Sequence, residues 1–324
     1  MVFWREETMK RLLLAALAMS AAAEAAASCG SAFCMVNTNW NVQGQWTEPG
    51  ARFDLRYEYI DQDQPMAGSR KVGVGEIPAH HDEVRTINRN WLGTFDYTFN
   101  DAWGVSATLP IVDKFHTHIH NHMGEQLPET WNFTELGDAR VLGRRQWHAE
   151  SAGAERLDFF GLNFGLKLPT GKTDVRNSEG ELAERTLQPG TGTTDLLIGG
   201  YFSRVLGSGS AWFADLLVQT PFDEHENFKP GTRTSVDLGY RRNVGDKLGL
   251  MLQLNFLHKA RDSGSDAEPE DSGGKFVFLS PGVSYMLTQR LQAYGFVQLP
   301  LYQYVNGVQL TSDWAVAAGL SLRF

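Results

Sequence analysis

From residue 312 to the end of the chain, apolar and polar side chains alternate at period two. Trp314, Val316, Ala318, Leu320, Leu322 and Phe324 share one face, and Asp313, Ala315, Ala317, Gly319, Ser321 and Arg323 share the other. A strand that is apolar along one face and small or charged along the opposite one wants hydrocarbon on one side and water or polar packing on the other. The same alternation recurs upstream. In 52–60, Phe53, Leu55, Tyr57 and Tyr59 oppose Arg52, Asp54, Arg56 and Glu58; in 83–100, Trp91, Phe95, Tyr97 and Phe99 oppose Asn88, Asn90, Thr94, Asp96 and Thr98. After Asp101 and Ala102 the pattern resumes in 103–112, with Trp103, Val105, Ala107, Leu109 and Ile111 on its oily face. Further strands are expected at 135–147, 158–168, 195–205, 212–219, 235–241, 247–259, 275–287 and 290–304, which with the last makes twelve.

The connections alternate too. Residues 61–82, 114–134, 169–193, 220–233 and 260–274 read as long polar loops, whereas 101–102, 207–209, 245–246 and 288–289 are tight turns. A soluble sandwich has no reason to gather its long connections at one end. Tilted strands of about ten residues cross a bilayer, and an open sheet edge in hydrocarbon would strand N–H and C=O groups at several kcal/mol each, so such a sheet has to close. The expected fold is all-β: a transmembrane antiparallel up-and-down β-barrel of about 12 strands, with long loops at one end and tight turns at the other. Trp103, Trp212, Trp314 and Tyr240 fall near strand ends, where an interfacial aromatic girdle belongs, although ordinary sheet packing would place them there as well.

Composition narrows the class further. The formal charge of -9 and the lack of any long basic run argue against a nucleic-acid partner. Met9, Lys10 and Arg11 precede a compact stretch of Leu, Ala, Met and Ser ending at Ala27, which reads as a cleaved secretory signal peptide, with translation starting at Met1 or Met9. No later apolar run approaches the roughly 20 residues of a membrane-spanning helix. The chain therefore divides into a signal peptide at 1–27, a periplasmic N-terminal segment at 28–51 and a barrel at 52–324. Cys29 and Cys34, the only cysteines, are expected to close a small disulfide loop in an oxidising compartment. A metal site there would need further soft ligands that are not nearby.

Three stretches carry a family likeness. Gly165-Leu166-Lys167-Leu168-Pro169-Thr170-Gly171, Leu136-Gly137-Asp138-Ala139-Arg140 and the terminal Phe324 resemble the outer-membrane transporters named for the MetA (meta) pathway of phenol degradation. The resemblance implies a barrel of the bacterial outer membrane that admits small, often aromatic, compounds. It also implies contact with outer-membrane lipid and lipopolysaccharide, and recognition of the last strand by the barrel-assembly machinery.

With the oily rows turned to lipid, Arg52, Asp54, Arg56, Glu58, Asp96, Asp138, Arg140, Lys167, Asp215, Asp237, Arg241 and Asp313 are expected to line the lumen. Both signs occur in similar numbers, so no ionic preference follows. Twelve strands enclose less space than a 16-stranded porin, and cross-lumen ion pairs would narrow the path to small solutes. A plugged structural or adhesive barrel is the alternative. His116, His118, His120 and His122 share one face of an extended segment and could converge on Zn or Cu, or could be a solvated polar loop. No other cofactor is indicated. Catalysis is not expected either: there is no Gly-x-Ser-x-Gly elbow, and Gly190-Thr191-Gly192 lacks the Lys and helix of a phosphate loop.

Overall fold

The computed structural model describes residues 36–78, 81–122, 124–150, 156–207 and 209–324. Among the described residues there are fifteen strands: β1 (Gly50–Gln62), β2 (Gln64–Gly68), β3 (Arg70–Lys71), β4 (His81–Asn100), β5 (Trp103–His122), β6 (Glu125–Leu136), β7 (Arg140–Glu150) and β8 (Arg156–Lys167), then β9 (Asp195–Leu206), β10 (Ser210–Pro221), β11 (Arg233–Val244), β12 (Leu248–Lys259), β13 (Gly274–Met286), β14 (Leu291–Thr311) and β15 (Ala315–Arg323). Twelve of them close an antiparallel barrel: β1 pairs with β4 on one side and with β15 on the other, β15 pairs with β14, and the ladder then runs through β13 back to β7, β5 and β4. Closure leaves no edge between β1 and β15, so the strands of the closed ring have a hydrogen-bonded neighbour on each side.

The period-two pattern sorts side chains to opposite faces of this wall. Phe95, Leu109, Leu162, Ile198, Leu252 and Leu320 are exposed on the outside, part of a far larger apolar surface than a water-soluble monomer carries. Trp103, Trp212, Tyr240 and Trp314 are exposed on the same outer face, and Trp314 stacks on Tyr59 with ring centroids 5.7 Å apart. The opposite row is buried and polar, including Asn163, Gln253, Asn255, Gln292 and Ser321.

Residues 114–134, expected as a polar loop, instead extend the wall upward. β5 pairs with β6 from Ile111↔Leu136 to His122↔Glu125, while its lower part pairs with β7 from Thr108↔Arg140 to Trp103↔Arg145. β6 and β7 thus form one descending strand interrupted at residues 137–139. Polarity concealed this hairpin, because a strand that rises beyond the hydrocarbon needs no oily face. The strand expected at 135–147 is mainly the lower, β7 part of it.

Of the 28–51 segment, expected in the periplasm, residues 36–51 are described, and the first part of them sits within the barrel. Residues 36–46 occupy the interior at the tight-turn end, with Trp40, Val42 and Gln43 fully buried. Val36 and Trp40 pack on Met251, Tyr294 and Phe296; Val42 packs on Phe159, Tyr201 and Phe213. A single turn, Gln43 N to Asn39 O at 3.1 Å and Gln45 N to Trp40 O at 2.8 Å, folds the segment back toward β1. Gly44 closes that turn with φ 69, and a Cβ there would lie 2.4 Å from Val205 Cγ2, so only glycine fits. The signal-peptide stretch and the Cys29–Cys34 pair lie outside the described residues.

Candidate functional site

The lumen has three storeys, each built by inward side chains of neighbouring strands. In the lowest, residues 36–46 are held by polar groups of the wall. Asn37 Nδ2 donates to Asp215 at 3.0 Å and to Asp237 at 3.2 Å, and its backbone N–H donates to Gln253 Oε1 at 2.9 Å. Trp40 Nε1 donates to Ser321 Oγ at 2.8 Å, Asn41 Nδ2 to Asp96 at 3.2 Å, and Gln45 Nε2 to Gln292 at 3.1 Å. Arg56 donates to Val36 O and, at 2.8 Å, to Thr38 Oγ1, while pairing with Glu58 at 2.9 Å. Asp54 accepts from Tyr294 Oη at 2.8 Å and from Ser321 Oγ. Arg52 lies 3.6 Å from Asp96, which Arg144 approaches to 3.3 Å. Arg241 is buried on the same inward row. A wall so rich in polar groups grips a polar segment because every buried donor it offers needs an acceptor.

The middle storey is a cavity of about 300 Å³ above the plug. Arg56, Lys114, Arg140, Arg185, Arg233 and Lys259 face it, against the carboxylates of Glu58 and Asp138. The cavity is therefore more cationic than the sequence count suggested. Its roof is hung from one buried knot. Lys167 Nζ lies 2.8 Å from Asp138 and 3.3 Å from Asp195, and donates to Thr193 O at 2.8 Å and to Thr191 Oγ1. Asp138 in turn accepts from Gly171 N at 3.0 Å and Thr191 N at 2.9 Å. The two sequence stretches 136–140 and 165–171 thus meet here. The break between β6 and β7 is what turns Asp138 inward to receive both ends of the 168–194 loop.

The upper storey gathers histidines and carboxylates beneath the loops. His116, His118 and His120 share the inward face of β5, and the side chain of His122 is outside the described set. The structure adds partners that the sequence did not suggest. A bulge between Glu83 and Arg85 in the β4–β5 ladder reverses the alternation of β4, so Glu83 and His81 turn inward although Thr86 and Asn88 below them also do. Glu184 descends from the 168–194 loop, with Oε1 3.0 Å from His81 Nδ1 and 3.7 Å from His118 Nδ1. Glu129 of β6 takes His118 Nε2 at 3.0 Å and His120 Nδ1 at 3.2 Å. Glu268, in the 260–273 loop, is half-buried near them. Desolvation and the charges of Glu184, Asp271 and Glu83 push its carboxyl up to about 10.

Asp313 departs from the expected lumen row. It lies in the exposed connection ahead of β15, 2.7 Å from Lys71. The regular alternation of β15 begins only at Ala315, so the parity that placed Asp313 inward has no strand to act on. Beside this connection is a narrow cavity of about 40 Å³ lined by Leu257, Phe276, Phe278 and Trp314. It lies where β14, paired with β15 only from Leu291 to Gln298, leaves that neighbour.

No described protein family matches the sequence, and no curated protein does. Solved structures do match in fold. The COG4313 outer membrane channel from Pseudomonas putida F1 superposes with a TM-score of 0.62 at 12% identity, over 86% of this chain and 96% of that one. The NanC porin gives a TM-score of 0.44 at 9% identity over 84% and 100%, and a mutant of the TodX monoaromatic hydrocarbon channel gives 0.41 at 9% over 92% and 96%. What this chain shares with the first of these is an antiparallel barrel of the outer-membrane type.

Proposed function

We propose that the protein is a porin-like channel of the bacterial outer membrane for passive movement of small organic molecules, aromatic or otherwise apolar ones included. The observation that carries the reading is a closed barrel with an oily exterior and a polar interior, whose 300 Å³ cavity is separated from the tight-turn end, among the described residues, by a noncovalently held segment and the wall side chains packed on it. Hydrogen bonds and packing can release that segment without breaking the wall. The apolar side chains Leu257, Phe276 and Phe278, set beside the short β14–β15 seam, offer an oily solute a surface inside an otherwise polar lumen. The likeness in fold to an outer-membrane channel agrees with this reading, and the resemblance of the stretches 136–140 and 165–171 to the transporters named for the meta pathway supports it. In that setting lipid and lipopolysaccharide surround the barrel, and the last strand is what the assembly machinery would engage.

A flux assay decides between this and a purely structural barrel. Proteoliposomes containing the protein should equilibrate benzoate or phenol faster than empty vesicles, while a trisaccharide stays outside. Equal rates with and without protein for every solute would remove the channel reading.

A further inference from the structure

The geometry points to a binding site for one divalent transition-metal ion, Zn²⁺ being its plainest occupant, between His81, His118 and Glu184 at the loop end of the barrel. The inference does not depend on the channel reading, since it concerns how the roof is fastened and holds whether or not solutes pass.

The donor atoms of these three residues lie within 4.8 Å of one another. Tetrahedral bonds of 2.0–2.1 Å set ligand atoms about 3.3 Å apart, and the separations of Glu184 Oε1 from His81 Nδ1 and His118 Nδ1, 3.0 and 3.7 Å, bracket that edge, although the two rings are stacked at 4.3 Å and one must turn to bring both lone pairs onto one ion. The tautomer is also arranged. Glu129 can only accept at His118 Nε2, so the proton sits there and Nδ1 is left as an acceptor, 3.1 Å from His116 Nε2 and 3.7 Å from Glu184 Oε1. A carboxylate holding the far nitrogen of an imidazole is the outer partner that metal-ligating histidines use. His116 Nε2, 3.1 Å from His118 Nδ1, places a further nitrogen beside the site, with Glu83 Oε2 4.0 Å behind it.

Charge supplies an independent reason. Glu184 is half-buried with both carboxylate oxygens shut off from solvent, and the described groups nearest them are the imidazoles of His81 and His118. Its neighbour Glu83 is buried and Glu268 is half-buried. Several carboxylates sharing one desolvated pocket call for a cation. Imidazole nitrogen with a single carboxylate suits Zn²⁺, Ni²⁺ or Cu²⁺ and is poor for Ca²⁺ or Mg²⁺, which prefer all-oxygen shells. The packing of Trp131 against His116 and His118, with Leu187 and Leu310 behind, keeps bulk water from competing. His81 and His118 stand on the wall strands β4 and β5, whereas Glu184 stands on the 168–194 loop. A bound ion would therefore staple that loop across the mouth.

The test uses the full chain in detergent micelles, free of any polyhistidine tag, stripped with a chelator and titrated calorimetrically with ZnCl₂. Wild type should take up one equivalent. Replacing a ligand by His81→Ala or Glu184→Gln should weaken binding at least tenfold, and Glu129→Gln should weaken it about 10- to 100-fold by releasing the tautomer. The exposed His258→Ala should behave as wild type. Heat-shifted electrophoretic mobility verifies that each variant is folded, and the conservative Glu184→Gln keeps the test valid if a histidine variant fails to fold. Zn²⁺ should also slow proteolysis of the 168–194 loop in wild type but not in Glu184→Gln. No stoichiometric uptake by wild type, or uptake unchanged in Glu184→Gln and His81→Ala, would overturn the site.

Discussion

Trp40 and Lys167 carry unequal parts of the lumen, one by volume and one by charge. Trp40 is fully enclosed, sits edge-on to Tyr294 with centroids 5.0 Å apart, and satisfies its indole N–H on Ser321. Trp40→Ala removes that anchor and should loosen the plug by about 3 to 5 kcal/mol, read as faster labelling of a cysteine placed at Thr38 by a thiol reagent. Lys167 is the buried counter-charge of both Asp138 and Asp195. Lys167→Ala leaves two desolvated carboxylates unbalanced and should cost about 3 to 5 kcal/mol, measured as a lower urea midpoint for the loss of heat-shifted mobility. The residue-level logic of the wall was open to reading from parity alone, and so was a hint of the plug. Phe159, Phe213, Met251, Tyr294 and Phe296 share the inward parity of Lys167, Asp215, Gln253 and Gln292, and aromatic groups in a polar row mean that something apolar meets them inside. What meets them could not be read, because residues 36–46 have no strand or helix period of their own.

At the level of elements, tight turns and oily rows set the strand count, while two irregularities escaped the pattern. The bulge at Glu83–Arg85 reverses β4 and sends His81 and Glu83 into the pocket that His116 and His118 occupy. Alternation carried upward without a bulge puts them outside. The break between β6 and β7 is the second, and Gly137 N still bonds Pro110 O at 2.9 Å across it. One position tests how closely these strands must approach. A Cβ at Gly165 would lie 1.9 Å from Val141 O, so Gly165→Ala forces β8 away from β7 along the ladder that positions Lys167. The expected outcome is a large fall in the folded, heat-shifted fraction after refolding into detergent. A wild-type yield would show that the ladder can relax there.

For the molecule as a whole, the plug, the cationic cavity and the roof stand in series along one axis, so the plug should limit any current. Its hold is noncovalent throughout the described residues, distributed over Asn37, Trp40, Asn41 and Gln45 and the wall groups that face them. The cavity's excess of Arg and Lys over Glu and Asp should then give the unplugged barrel a reversal potential displaced toward anions in a salt gradient, although in the whole sequence acidic residues outnumber basic ones. The most direct test is single-channel conductance in planar bilayers, wild type beside a variant lacking residues 36–46. A closed barrel occupied by its own N-terminal segment predicts a small wild-type current and a several-fold larger one in the variant. Equal conductance in the two, or none above baseline in either, would contradict it.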